Sequence, residues 1–113
     1  MTHGGTTNTG SSINQFLGAQ LLEDMKLLAL AAEFVGSFAL LTAILFTGNW
    51  LAIGMTLAGI ILIIGETSGG HVNPAVSLAM YLKGGFSVTE LVSYSVAQCA
   101  GAASALAVFK AIA

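Results

Sequence analysis

Residues 65–85 read GETSGGHVNPAVSLAMYLKGG, and this stretch decides the fold. Gly69-Gly70 break any helix arriving from the N-terminal side. Pro74 is well placed to open a new one, because the N–H it lacks has no partner in a first turn. The apolar run Pro74–Leu82 that follows has only nine residues. At about 1.5 Å per residue it reaches roughly 14 Å, half of a hydrocarbon core of about 30 Å. A half-length helix behind a Gly-rich approach is the pattern of a re-entrant segment; a soluble connecting loop is the alternative. Irregular backbone at that depth must be shielded by protein or line a wet cavity.

The flanking sequence supplies the membrane. The chain has 113 residues, 56% hydrophobic and 7% charged. Soluble domains carry roughly a quarter charged residues, so this composition cannot cover a globular surface. A mean hydropathy of +0.90, with 14 Gly and one Pro, reads as closely packed membrane helices. Residues 27–47, 50–65 and 88–112 are the expected spans, with Gly48-Asn49 a tight turn and Trp50 at the interfacial aromatic belt. Ser87 followed three residues later by Glu90 predicts a capped start for the last span. The fold class is therefore all-α integral membrane: three transmembrane helices plus one re-entrant half helix, residues 74–82.

Residues 1–26 read differently. MTHGGTTNTGSS is polar and lacks the basic and apolar regions of a cleavable signal, so a retained tail is expected. Ser12 and Gln15 have capping-box spacing, and Ile13, Phe16, Leu17, Leu21 and Leu22 recur at helical spacing. Two readings follow: a short amphipathic helix at the membrane surface, or an extension of the next helix.

Several functions are excluded. Three Lys, no Arg and five acidic residues leave no basic patch for nucleic acid. Cys99, the single cysteine, excludes an intramolecular disulfide and a Cys-based zinc cluster. His3 stands alone in the tail, so no metal site is spelled out and no cofactor is implied. No nucleophile–base pair or phosphate loop is present, and enzyme chemistry is not expected.

Small residues supply the packing code. Ala29, Ala32, Gly36, Ala39 and Ala43 run along one face of the first span. Ser93, Ala97, Gly101 and Ala105 repeat every four residues in the last, and Gly54 and Ala58 share that spacing in the second. Such stripes let helix backbones approach closely in lipid. Three spans have more of this surface than they can bury among themselves, so an oligomer is expected.

The string SGGHVNPAVS, with Asn73-Pro74-Ala75 at its centre, resembles the first Asn-Pro-Ala box of the aquaporin and glycerol-facilitator family. The order and length of the elements over residues 27–113 resemble the first half of that fold. Glu33 in AEFVG and Gln98 in AQCAGA resemble buried polar residues of the family's first and third spans. The resemblance implies a passive channel for water or small neutral solutes. Asn73 would donate to a passing oxygen at the positive end of the half helix. Extended backbone at Gly69, Gly70, His71 and Val72 would offer carbonyl acceptors in file. Capping of the half helix is the plain structural role of Asn73 and is compatible with the first. Glu33 and Gln98 are expected to be scaffold, with Glu33 bonded to backbone near Gly69–Val72; a proton relay is the alternative for Glu33. His71 is expected to pack the loop, with pore lining or pH sensing as its alternatives.

The family's usual chain has six spans and two boxes, whereas this sequence has three spans and one box. An odd number of spans requires the completing unit to be inverted. An antiparallel homodimer is therefore expected, with two Asn73 side chains at the midplane and, by analogy with the family, four dimers in an octamer. Lys26 and Lys83 fall on one side and Lys110 near the other, a bias weak enough for dual topology. Where the family carries a filter arginine this sequence has Val76. By spacing, the other filter positions fall at Ile53, Ile61 and Gly70, giving apolar mouths. The competing expectations are a non-conducting structural subunit and a half-channel that needs a different partner chain.

Overall fold

The computed structural model describes the backbone of residues 4–113 and the side chains from residue 9 onward. His3, assigned above to the tail, lies outside the described residues. Four helices follow in order: α1 (Gly4–Thr47), α2 (Trp50–Ser68), α3 (Pro74–Lys83) and α4 (Val88–Ile112). Three stretches are long and apolar enough to cross a bilayer: residues Thr9–Thr47, Trp50–Ser68 and Val88–Ile112. The chain is a multi-pass integral membrane protein.

α1 differs from the expected start. It is already helical at Gly4 and runs 44 residues without a break, so Ser12 and Gln15 do not begin a helix. At about 1.5 Å per residue that is roughly 66 Å, which accounts for the 70 Å long axis of the molecule. A bilayer core of about 30 Å takes up less than half of it. The segment before residue 27 is thus the first reach of α1 and not a separate short helix. Two other helices exceed their sequence-derived bounds slightly, α2 reaching Ser68 and α3 reaching Lys83, while α4 has the expected bounds.

Each later helix is fixed by its caps. Asn49 accepts from Leu51 N and Ala52 N at 3.0 and 2.9 Å, which turns the chain straight into α2. Ser87 and Glu90 close a reciprocal capping box at α4, with both bonds formed (2.9 and 3.1 Å). Apolar faces point outward: Leu62 is 85% and Ile63 78% exposed, as lipid-facing positions must be.

Packing centres on α1, which lies against both α2 and α4. A side chain at Gly101 of α4 would overlap the Phe34 carbonyl and come within 3.1 Å of Phe38 N. The α1 and α4 backbones are therefore in direct contact, which only glycine permits. Ala105, one turn further on, is fully buried. Gly36 of the α1 seam faces α2 and the loop, beneath Val72, Ile64 and Ile60. Gly54 has no neighbour and Ala58 is exposed, so the small face of α2 is unpartnered within the protomer.

Candidate functional site at the re-entrant segment

The site is assembled around one carboxylate. Glu33, in the apolar C-terminal half of α1, is completely buried. Its Oε2 accepts from Ser68 Oγ at 2.7 Å and His71 N at 3.0 Å. Its Oε1 accepts from Val72 N at 2.7 Å and Gln98 Nε2 at 2.8 Å. Four donors from α2, the loop and α4 thus converge on a single side chain of α1. An unpaired carboxylate at this depth costs about 2.5–3.5 kcal/mol on insertion scales, and complete pairing removes the reason for that cost.

This carboxylate also explains the loop's shape, which corrects the expectation of an extended segment. Gly69, Gly70 and Val72 all have positive φ, at 95°, 63° and 44°. Left-handed residues among ordinary ones turn successive N–H groups to one side, making a concave anion cradle. Here the anion is Glu33. Val72 is the one non-glycine residue with positive φ among the described residues, and a β-branched residue there is strained. Two things hold it: its N–H bond to Glu33 and its side chain against the Gly36 site.

A second tier braces the first. The other Gln98 Nε2 proton goes to Ser77 Oγ at 2.9 Å, and Ser77 Oγ lies 2.9 Å from His71 Nδ1. Ser77 Oγ thus bridges the Gln98 amide and the His71 ring, tying α3 and the loop to α4. The imidazole packs against Phe86 and Tyr94, with ring centroids 5.2 and 5.1 Å away. Tyr94 Oη donates to the Ser68 carbonyl at 2.7 Å, closing the ring of contacts.

At the end of this scaffold stands the box. Asn73 is exposed, and its Oδ1 caps α3 by accepting from Ala75 N at 2.9 Å. That fixes the amide with its NH₂ directed away from the helix. Pro74 occupies the first turn of α3. No group among the described residues donates to the carbonyls of Gly69, Gly70, His71 or Val72. The segment's backbone N–H groups are held by the protein, while these four acceptors and the Asn73 amide protons are left unpartnered.

Residues 7–113 match the family described as major intrinsic protein. The chain belongs to that family. It is 39% identical over 99 residues to aquaporin Z of Brucella melitensis biotype 1, and 35% identical over 99 residues to aquaporin Z of Photorhabdus laumondii subsp. laumondii. Each alignment covers 74% of this chain and 43% of the relative. A probable aquaporin AqpM of Archaeoglobus fulgidus is 45% identical over 60 residues, 50% of this chain and 24% of that one. The chain spans less than half the length of these curated relatives.

In this major intrinsic protein half-unit, the filter positions read from spacing fall in different settings. Gly70 is buried with its Cα face on Ile61, a side chain there coming 3.3 Å from Ile61 Cα. Ile61 is 47% exposed, while Ile53 and Val76 are half-buried. Ser68, Ser77 and Tyr94 were not singled out from the sequence, although they bind Glu33, Gln98 and the Ser68 carbonyl. A signal for two of them exists: Ser77 lies four residues after Asn73, and Tyr94 four before Gln98, each on the same helix face.

Proposed function

We propose that this chain forms half of a passive pore for water and small neutral solutes, and that an inverted second copy completes it. The channel reading is carried by the separation of donors and acceptors in the re-entrant segment. With His71 N and Val72 N held by Glu33, the four carbonyls from Gly69 to Val72 are available to replace the hydration of a neutral solute. Asn73 contributes the matching donors where α3 ends its positive dipole. A transported cation would meet that positive end, so conduction of neutral molecules is favoured over ions.

Completion by an inverted copy is supported by the shape of the unit. In front of Asn73 and Pro74 lies an open groove of about 230 Å³ between α1 (Leu40, Leu41, Ile44) and α4 (Cys99, Ala102). Groove and half helix meet at Pro74, where a second half helix entering from the opposite membrane face would end. Two Asn73 residues would then face each other at the midplane, with Glu33 and Gln98 as scaffold in each protomer. Ile53, Ile61, Gly70 and Val76 would form the two identical mouths, apolar and without a fixed cation. Further association of four such dimers would cover the small faces, such as Gly54 and Ala58, that the protomer leaves open.

The test is osmotic shrinkage of liposomes carrying the purified chain, with water and then glycerol as permeant. Permeability above that of empty liposomes, lowered by Asn73→Asp, is expected. Empty-liposome values for both proteins would favour a non-conducting subunit. Reporter fusions at the C-terminus check the inverted pair: both orientations are expected, and a single orientation would point to a different chain as the second half.

A further inference from the structure

The side chains of Ser37 and Gln98 hold two polar atoms with no partner at all. Ser37 is 1% exposed and Gln98 2% exposed, yet neither Ser37 Oγ nor Gln98 Oε1 makes a hydrogen bond. Other helical hydroxyls here behave differently. Thr42, Thr47, Thr56 and Ser104 each donate to the carbonyl four residues back, at 2.6–2.8 Å. Ser37 does not use the Glu33 carbonyl in that way, so its proton is directed elsewhere.

The Gln98 carboxamide cannot be turned to relieve the problem. Its nitrogen is tied to Glu33 Oε1 and Ser77 Oγ. Exchanging the two ends would set a carbonyl oxygen against the Glu33 carboxylate. Oε1 is therefore fixed as an acceptor in want of a donor. Ser37 lies one turn beyond Glu33 on the same face of α1, and both Ser37 and Gln98 border the cavity that also meets Val72 and Asn73. A buried acceptor and a buried hydroxyl that share one cavity have the chemistry of a water site, since buried waters join polar groups that lack other partners.

We infer that Ser37 Oγ and Gln98 Oε1 together bind one resident water molecule beside the Asn-Pro-Ala box. The water donates to Gln98 Oε1 and pairs with the Ser37 hydroxyl. It completes the hydrogen bonding of the Glu33–Gln98–Ser77 scaffold and gives the cavity a polar wall. The site lies within a single protomer, so it does not depend on the inverted copy or on conduction.

A structure of the full-length chain at a resolution showing single waters provides the direct test. Density within hydrogen-bonding distance of both atoms is expected. A Ser37 hydroxyl turned directly onto Gln98 Oε1 or onto the Glu33 carbonyl, with no density between, would overturn the assignment. Melting temperature gives an independent readout. Ser37→Val expels a water and strands Gln98 Oε1, so it should melt several degrees lower, while Ser37→Thr keeps the hydroxyl and should match the wild type. In a dry cavity the added methyl groups fill empty space, and Ser37→Val melting at or above the wild type would refute the water. If Ser37→Val does not fold, Ser37→Ala replaces it: a lower melting temperature supports the site and an unchanged one refutes it.

Discussion

Glu33→Gln removes a charge while keeping the shape of the side chain, and the structure gives the size of the effect. Each carboxylate oxygen accepts two bonds, from Ser68 and His71 on one side and Val72 and Gln98 on the other. The amide has one oxygen and one NH₂, so two of the four donors must then face another donor. A hydrogen bond to a charged acceptor contributes about 1.5–3 kcal/mol, so losing two costs roughly 3–6 kcal/mol. The lower end applies if the NH₂ takes the Oε2 position, where Ser68 can turn its hydroxyl to accept. At roughly 4 °C or more per kcal/mol for a chain of this size, the melting temperature should fall by at least about 12 °C. Thermal unfolding of the detergent-solubilised protein measures this. Limited proteolysis should find new cleavage at 69–72, because the loop loses one of its two backbone tethers, at His71 or at Val72. A proton relay predicts something else: a variant that melts like the wild type and changes only proton flux. That outcome would refute the scaffold reasoning. All four bonds are already made, which leaves the carboxylate no open position from which to pass a proton.

Other substitutions test the remaining contacts. Gly101→Ala sets a methyl group against the Phe34 carbonyl and should cost about 1–3 kcal/mol by forcing α1 and α4 apart, read as a lower melting temperature. Gly70→Ala combines a left-handed backbone with a contact 3.3 Å from Ile61 Cα. It should destabilise by about 1–3 kcal/mol from the strained conformation alone and reduce liposome permeability. Tyr94→Phe keeps the ring stack but leaves the Ser68 carbonyl without its 2.7 Å donor. A loss of about 1–3 kcal/mol is expected, visible as a shift in thermal unfolding.

Which features could be read from the sequence follows from how local their causes are. The break at Gly69-Gly70, the start at Pro74 and the capped start at Ser87 depend on a few adjacent residues, and each is a feature of the fold. Glu33 was legible as a residue needing partners, because an unpaired carboxylate in an apolar span is costly. The shape of the loop was not. Its left-handed residues answer to a carboxylate 38 and 39 positions away, and a string of Gly, His and Val states no such distance. The length of α1 was hidden for a different reason. Gly, Thr and Ser at residues 4–12 are weak helix formers, and Ser12 with Gln15 imitates a start. A cap has meaning only where the preceding turn is not helical, and here propagation from the long apolar helix carries through it.

The absence of a filter arginine changes what the centre of the proposed pore must accomplish. Val76 stands where the resemblance would put that cation, so in the proposed pore exclusion of ions would rest on the half-helix ends. Each helix N-terminus carries the equivalent of about half an elementary charge. At about 4 Å and an effective dielectric near 20, half a charge opposes a cation by roughly 2 kcal/mol, and two opposed ends by roughly 4 kcal/mol. In rate, that is the difference between a factor of about thirty and a factor of about a thousand. One protomer alone, with a single Pro74 terminus and an open groove in front of it, would be a poor barrier to ions as well as an incomplete wall. The second half helix of the proposed pair would therefore supply more than the missing surface. Without an arginine, the opposed pair would be the chief means by which the proposed pore passes neutral solutes while holding back ions, so that on this proposal the inverted arrangement serves selectivity as well as geometry.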